Sequence, residues 1–247
     1  MARPKANQPG PSAQEKLAAA FWDMLEESSY ASLTVSGLAK RAGVNHNTLY
    51  YYYDNIEDMA NKLFKEDLLR DAMYFIPMLL ELSNPGEEEG NGSLIDRSEL
   101  FNYYDPFPTK GDEDTHTIGN LTFNKQSYDV LSDRFRKIYS FLTSGSTYLI
   151  DLFKSAVKEA WLDRFGIDQQ SIDPAINIQM DFLLNGLVGI YQSLDPNMGF
   201  EDLIDNYGRV FLGTKLGQAI LETLRDISRS SSASNGSRAN QQAKAFA

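Results

Sequence analysis

The segment from Thr34 to Tyr53 constrains the fold of this chain more than any other stretch of its sequence. Thr34 is a favourable N-cap, and the residues after it have the apolar spacing of one short helix. Gly43 can end that helix because glycine adopts the left-handed conformation of a sharp helix exit at little cost. Asn45 can then cap a second short helix over residues 46–52. The segment therefore predicts two short helices joined by a tight turn, a helix-turn-helix.

The second of these helices carries four consecutive tyrosines at its end. Leu49 and Tyr53 are the expected inward anchors, and four successive side chains on a short helix cannot all face the core. The predicted outward groups are polar or aromatic: His46, Asn47, Thr48, Tyr51 and Tyr52. The alternative is an ordinary helical hairpin whose aromatic side chains are partly buried.

Helical patterns flank this segment on both sides. Ser12 and Glu15 have capping-box spacing at the start of a helix predicted over 13–29. Another helix is predicted to begin after Asn55 and to continue to about residue 83, bent near Pro77. These elements place the helix-turn-helix inside a small helical module.

The rest of the chain is also predicted to be helical, apart from a Pro/Gly-rich stretch and a polar tail. Residues 84–124 are expected to be a long loop, with one short helical turn around 95–103. Further helices are predicted over 125–143, 146–165, 174–194 and 200–227, the third of them starting at Asp173-Pro174. No strand is expected, so the predicted fold class is all-α.

Composition limits the chemistry that the chain can perform. With 34 acidic and 23 basic residues the formal net charge is −11, which would ordinarily oppose binding to a polyanion. Residues 1–65, however, hold seven acidic and seven basic residues, so the negative excess lies downstream.

The chain has no cysteine and two histidines, which argues against thiolate or histidine-rich metal sites. His116, beside an acidic run, is interpreted as part of a solvated loop.

No catalytic arrangement stands out either. The carboxylates form no Ser/His/Asp pattern, phosphate loop or metal-binding spacing. We therefore predict no enzymatic activity, no cofactor and no metal. Signal-peptide features are absent from the first residues, and no apolar run approaches the ~20 residues that span a bilayer. A cytoplasmic protein without a membrane partner is the expectation.

The helix-turn-helix resembles that of the tetracycline-repressor (TetR) family of bacterial regulators. The resemblance rests on an ordered set of residues: a Thr cap, an Ala-Gly-Val turn, Thr-Leu-Tyr in the second helix and an aromatic before the next helix. Here these are Thr34, Ala42-Gly43-Val44, Thr48-Leu49-Tyr50 and Tyr53. By motif the resemblance covers residues 13 to about 64, and the remainder only by its helical pattern and length.

The resemblance implies a function for individual residues. It implies phosphate contacts from Thr34, Thr48 and Tyr50, and groove or backbone contacts from Asn45, His46, Asn47, Tyr51 and Tyr52. It also implies a homodimer on a palindromic DNA operator, released by an unknown small-molecule effector that binds the rear of the chain. The expected function is thus a DNA-binding transcriptional regulator, a repressor.

One position departs from the family pattern. The family commonly has a lysine where this chain has Ile56, and Asp54 lies nearby. Loss of one phosphate contact would make the slope of log affinity against log salt concentration shallower by ~0.9. The basic N-terminal arm, Arg3 and Lys5, together with Lys40 and Arg41, is expected to supply charge instead. The alternative is a helical ligand-sensing or interaction protein with weak or lost DNA binding.

The rear of the chain is expected to bind the ligand and to dimerise. The candidate pocket residues are Tyr74, Phe75, Met78, Phe107, Phe141, Tyr148, Phe153 and Trp161. For any one of them, an ordinary core position is the better interpretation. The candidate dimer residues are Gly186, Gly189, Gly213, Gly217 and Ile220, where small side chains permit close helix approach; packing within one chain is the alternative.

The predicted organisation has four parts. Residues 1–11 are a flexible basic arm, 12–65 a three-helix DNA-binding domain, 66–227 a helical ligand-binding and dimerisation domain, and 228–247 a disordered tail.

Overall fold

A computed structural model describes residues 10–69, 72, 115–118, 121–165, 169, 172–195, 197–199 and 202. The helices in these ranges are α1 (Ala13–Glu27), α2 (Val35–Ala42), α3 (His46–Tyr52), α4 (Ile56–Leu63), α5 (Lys125–Thr143), α6 (Thr147–Phe165) and α7 (Pro174–Ser193). A 3-10 turn spans Tyr30–Ser32, and a π-helical turn, Phe64–Leu68, follows α4 directly. The predicted all-α fold class is confirmed.

The local capping signals act as the sequence predicts. The Ser12 hydroxyl accepts from the Glu15 amide while the Glu15 carboxylate accepts from the Ser12 amide, which completes the capping box. Asp173 caps α7, and Pro174 occupies its first turn. Each cap satisfies a backbone N–H that the first turn of a helix leaves without an internal partner.

One prediction was wrong in the expected loop. Two short antiparallel strands, β1 (Thr115–Ile118) and β2 (Leu121–Asn124), pair from Thr115 opposite Asn124 to Ile118 opposite Leu121. Strands of four residues are too short to give a period-2 pattern that stands out from a loop, and pairing between them satisfies their backbone groups. The hairpin leads directly into α5. The predicted turn over 95–103 and the helix over 200–227 lie outside the described residues, apart from Asp202, which is helical.

A continuous apolar core connects the front helices to the rear ones. Phe64 is fully buried, with its ring stacked on Phe141 of α5 at 4.9 Å between centroids and edge-on to Phe153 of α6 at 5.8 Å. Trp22 of α1 is 6.2 Å from Phe141 by the same measure. The π-helical turn therefore lies where the helix-turn-helix module joins the rear helices. The boundary predicted at residue 65 stays a prediction.

Within the described ranges, no helix has both the length and the apolar character that crossing a bilayer requires.

Candidate nucleic-acid interface

The helix-turn-helix is built by α2, a left-handed glycine and α3. The Thr34 hydroxyl accepts from the Gly37 amide at 3.1 Å and so starts α2. A Cβ on Gly37 would lie 3.0 Å from that hydroxyl oxygen and 3.2 Å from the Met24 methyl, so a glycine lets α2 approach α1 closely. Gly43 ends α2 with φ +65°. The turn that follows sets the direction in which α3 leaves the module.

The first residues of α3 are held by the Asn45 cap. Its side-chain oxygen accepts from the Asn47 amide at 2.9 Å, and its backbone carbonyl accepts from the Thr48 amide. Leu49 is fully buried and Tyr53 is 2 % exposed, which confirms both as inward anchors. The core thus fixes the rotation of α3 about its own axis.

The opposite side of α3 faces solvent. Tyr51 is 82 % exposed and Tyr50 is 53 % exposed, while His46 and Asn47 are also exposed. Thr48 and Tyr52, which were predicted to face outward, are half-buried, because they lie nearer the core side of α3, and Tyr52 packs against the core. The His46 and Tyr50 rings lie 5.6 Å apart, and the Tyr51 ring meets Tyr52 edge-on at 4.8 Å. Of the predicted interface residues that the structure describes, those of α3 form one continuous surface, while Thr34 caps the neighbouring helix.

The charge around this surface is smaller than the sequence suggests. Arg41 hydrogen-bonds Glu27 at 2.5 and 2.8 Å and lies 3.4 Å from Asp23. These hydrogen bonds hold the pKa of Glu27 below its ordinary value. Arg41 is therefore paired with two acidic residues of α1, which offset the positive charge that it was expected to supply for DNA. Lys40 is exposed and has no ion-pair partner in the described part of the chain.

Lys62, which was not among the predicted interface residues, supports the end of α3. Its ammonium group donates to the Tyr52 carbonyl at 3.2 Å and to the Asp58 carboxylate at 2.8 Å. The second contact lowers the pKa of Asp58. Lys62 thereby ties the end of α3 to α4. The i,i+4 spacing of Asp58 and Lys62 in the sequence indicates the ion pair but not the contact with the Tyr52 carbonyl.

Ile56 of α4 is half-buried and packs against the core, so it presents an apolar side chain at the start of α4.

Direct contacts attach this module to the rear helices. The Tyr148 hydroxyl of α6 donates to the Glu57 carbonyl of α4 at 3.1 Å, and the Tyr148 ring stacks on Tyr30 at 6.2 Å. Burial raises the pKa of Tyr30 to about 12, with further contributions from Tyr148 and Glu57. The rear helix α6 therefore touches the first turn of the helix that supports α3.

A second attachment lies at the π-helical turn. The Trp22 indole N–H donates to the Asp67 carboxylate at 2.9 Å, and the Arg134 guanidinium of α5 donates to the Asp67 carbonyl. The ammonium group of Lys137, also on α5, lies 5.8 Å from the centre of the Trp22 ring. Asp67 of the π-helical turn therefore links α1 to α5. Single π-helical turns within α-helices are frequent at functional sites.

The remaining predicted residues lie in or beside the core, on the exposed side of α7, or outside the described ranges. Phe141, Phe153 and Trp161 are at most 2 % exposed, and Tyr148 is half-buried. Gly186 and Gly189 lie on the exposed side of α7. Residues outside the described ranges are Arg3, Lys5, Tyr74, Phe75, Met78, Phe107, Gly213, Gly217 and Ile220.

Comparison with known families agrees with this geometry. Residues 17–63 match the family model described as bacterial regulatory proteins, tetR family. The matched span begins in α1 and ends with α4, so it contains the whole helix-turn-helix. No curated protein matches the chain.

Proposed function

We propose that this chain, which carries the N-terminal domain of the bacterial tetR-family regulators and is a DNA-binding transcriptional regulator, is a repressor that a small-molecule ligand releases from DNA. The observation that carries the proposal is α3, whose core side is locked by Leu49 and whose opposite side exposes Asn47 and Tyr51. A helix held in this way can enter the major groove of a DNA operator. We propose a cytoplasmic location, because bacterial DNA lies in the cytoplasm, and we propose no catalytic activity.

The proposed DNA contacts follow the exposure of the side chains. Asn47 and Tyr51 approach the bases, while His46, Tyr50, Thr48 and Tyr52 lie on the two sides of α3 and contact the groove walls or phosphates. Thr34 and Asn45 contribute to phosphate binding mainly by holding the helix starts in place. The N-terminal Arg3 and Lys5 supply the positive charge that Arg41, paired with Glu27, does not.

The proposed dimer uses the exposed side of α7. Ile178 is 67 % exposed and Phe182 is 66 % exposed, one helical turn apart, and Gly186 and Gly189 continue the same side. A Cβ at either glycine would meet no atom within 4 Å, so packing within the described part of the chain does not require them. A second copy related by a two-fold axis would cover this apolar face, and the glycines would allow its helix to approach closely. Gly213, Gly217 and Ile220 are proposed to complete the interface.

The proposed response to a ligand runs through the attachments between front and rear helices. A small molecule bound among α5, α6 and the predicted aromatic residues would shift α5 or α6. Because Tyr148 holds the first turn of α4 and Asp67 connects α1 to α5, such a shift would move the module that carries α3. A ligand that binds the shifted arrangement more tightly would lower the affinity for DNA by linkage.

The direct test is retardation of DNA from upstream of the protein's own or neighbouring genes at low salt. We expect the full chain to retard such a fragment and Tyr51→Ala to weaken binding about 5- to 150-fold, since loss of one good contact to a base in the major groove costs roughly 1–3 kcal/mol. Tyr51 is 82 % exposed, so an unchanged melting temperature controls for folding. If the wild-type protein retards no such fragment, repression is contradicted.

Ile56 supports a second candidate, a ligand-sensing or interaction protein whose DNA binding is weak or lost. Under the repressor proposal, Ile56→Lys adds one phosphate contact and steepens the dependence of log affinity on log salt by about 0.9. Fluorescence anisotropy over a salt series measures this slope. Ile56→Gln, polar but uncharged, is the control and should leave the slope unchanged. Affinity that stays negligible in Ile56→Lys would favour the second candidate.

A further inference from the structure

We propose that the operator half-site presents two A·T base pairs, about two steps apart, to an apex ridge formed by Asn47 and Tyr51. This inference rests on the proposed function, because it names the DNA that the exposed side of α3 selects.

The position of the ridge follows from helix geometry. Each residue advances the direction of the side chain by about 100°, which places Asn47 and Tyr51 at about 160° and 200° from Leu49. Since Leu49 is fully buried, these two side chains project on either side of the direction that points straight away from the core. His46 and Tyr50 lie at about 60° and 100°, and Thr48 and Tyr52 on the other side. The apex ridge is therefore the part of α3 that enters deepest into a groove.

The hydrogen bonds distinguish Asn47 from the other asparagine at this end of α3. The side-chain oxygen of Asn45 accepts from the Asn47 amide and caps the helix, so its acceptor is occupied. In the described part of the chain the Asn47 carboxamide makes no hydrogen bond, and its donor and acceptor are both available. A free carboxamide matches adenine, which offers one acceptor (N7) and one donor (N6) in the major groove. Asn47 is thus the residue equipped to select an A·T pair.

Tyr51 supplies an apolar contact at the other end of the ridge. Its ring is held edge-on against Tyr52, 4.8 Å between centroids, while 82 % of the residue is exposed. The thymine C5-methyl is the apolar group that the major groove presents to such a ring. Four residues of helix advance about 6 Å, which corresponds to roughly two base-pair steps of about 3.4 Å each.

The surroundings of the ridge disfavour guanine. The sequence of α3, HNTLYYY, contains no arginine or lysine, the side chains that most often bind guanine in the major groove. Arg41, on the adjoining helix, is paired with Glu27 and Asp23. The ridge therefore presents Asn47 and Tyr51, which can contact A·T pairs, and it lacks the arginine or lysine that would favour guanine.

The test is selection of bound duplexes from a random-sequence library by the full-length protein at low salt. We expect each enriched half-site to contain A·T at two positions about two steps apart. Substitution of either pair by G·C should weaken binding by about 5- to 150-fold. Asn47→Ala should abolish the preference at one position only, and Tyr51→Ala at the other only.

Removal of the methyl group separates the two contacts further. Deoxyuridine in place of thymine at the Tyr51 position should weaken binding of the wild-type protein but not of Tyr51→Ala. Tyr51→Phe keeps the ring and should retain the preference for the methyl group. Enrichment of G·C at these positions, or a preference unchanged in Asn47→Ala, would overturn the inference while leaving DNA binding intact. Enrichment of no duplex would contradict the proposed function itself.

Discussion

Phe64→Ala is expected to destabilise the protein by about 3–5 kcal/mol, the usual cost of removing a fully buried phenylalanine. The reason is the position of the ring, which is completely buried between Phe141 and Phe153 where α4 passes into the π-helical turn. Its removal leaves a cavity between the helix-turn-helix module and the rear helices. Urea unfolding followed by circular dichroism measures the change in the free energy of unfolding.

Tyr51→Ala is the matched control for this prediction. It removes an aromatic ring of the same size together with its hydroxyl group, but from a side chain that is 82 % exposed, so the free energy of unfolding should change by less than about 0.5 kcal/mol. A loss below 1 kcal/mol in Phe64→Ala would show that the stacked aromatic rings do not hold the two parts of the molecule together. Unfolding of the two parts in separate transitions would support the same conclusion.

If the proposed dimer forms through α7, Phe182→Glu is expected to convert it to a monomer and to weaken operator binding by at least about 100-fold. The exposed Phe182 lies at the centre of the apolar side of α7, and a carboxylate there would be buried without a partner in the proposed interface. Two connected half-site contacts exceed a single one by about 10²–10⁴-fold, which is the advantage that a monomer loses. Sedimentation velocity measures the oligomeric state, and anisotropy with operator DNA measures the affinity.

Ser155→Glu introduces the same charge at an exposed position of α6, a helix that the proposed interface does not include. It should leave both the sedimentation coefficient and the affinity for DNA unchanged. If Phe182→Glu sediments as the wild-type protein does, the exposed side of α7 is not the dimer interface. A monomeric variant that keeps full affinity would contradict the link between dimerisation and operator binding.

Local signals in the sequence were sufficient for the helix-turn-helix. The cap at Thr34, the left-handed Gly43 and the cap at Asn45 each act through backbone groups within a few residues, so their identity predicts where α2 and α3 begin and end. The burial of Leu49 also follows from spacing alone, because one side of a short helix must face the core. Helical spacing likewise predicts α5 over 125–143, in agreement with its observed bounds.

Pairings between distant residues were not predictable in this way. Arg41 was expected to supply positive charge for DNA, but the fold places it beside Glu27, 14 residues earlier in the chain. The contact of Lys62 with the Tyr52 carbonyl depends on how α4 turns back towards α3. The pairing of β1 with β2 was not expected because these strands are stabilised by each other rather than by their own composition.

The sequence by itself determined the helix-turn-helix and the exposure of Tyr51, since caps, turn and helical period are properties of neighbouring residues. The tertiary structure decided which charges remain available, how Asp67 joins α1 to α5, and that the Asn47 carboxamide is free while that of Asn45 is engaged. Those outcomes depend on the relative placement of helices. Packing of the whole core sets that placement, and no single segment specifies it.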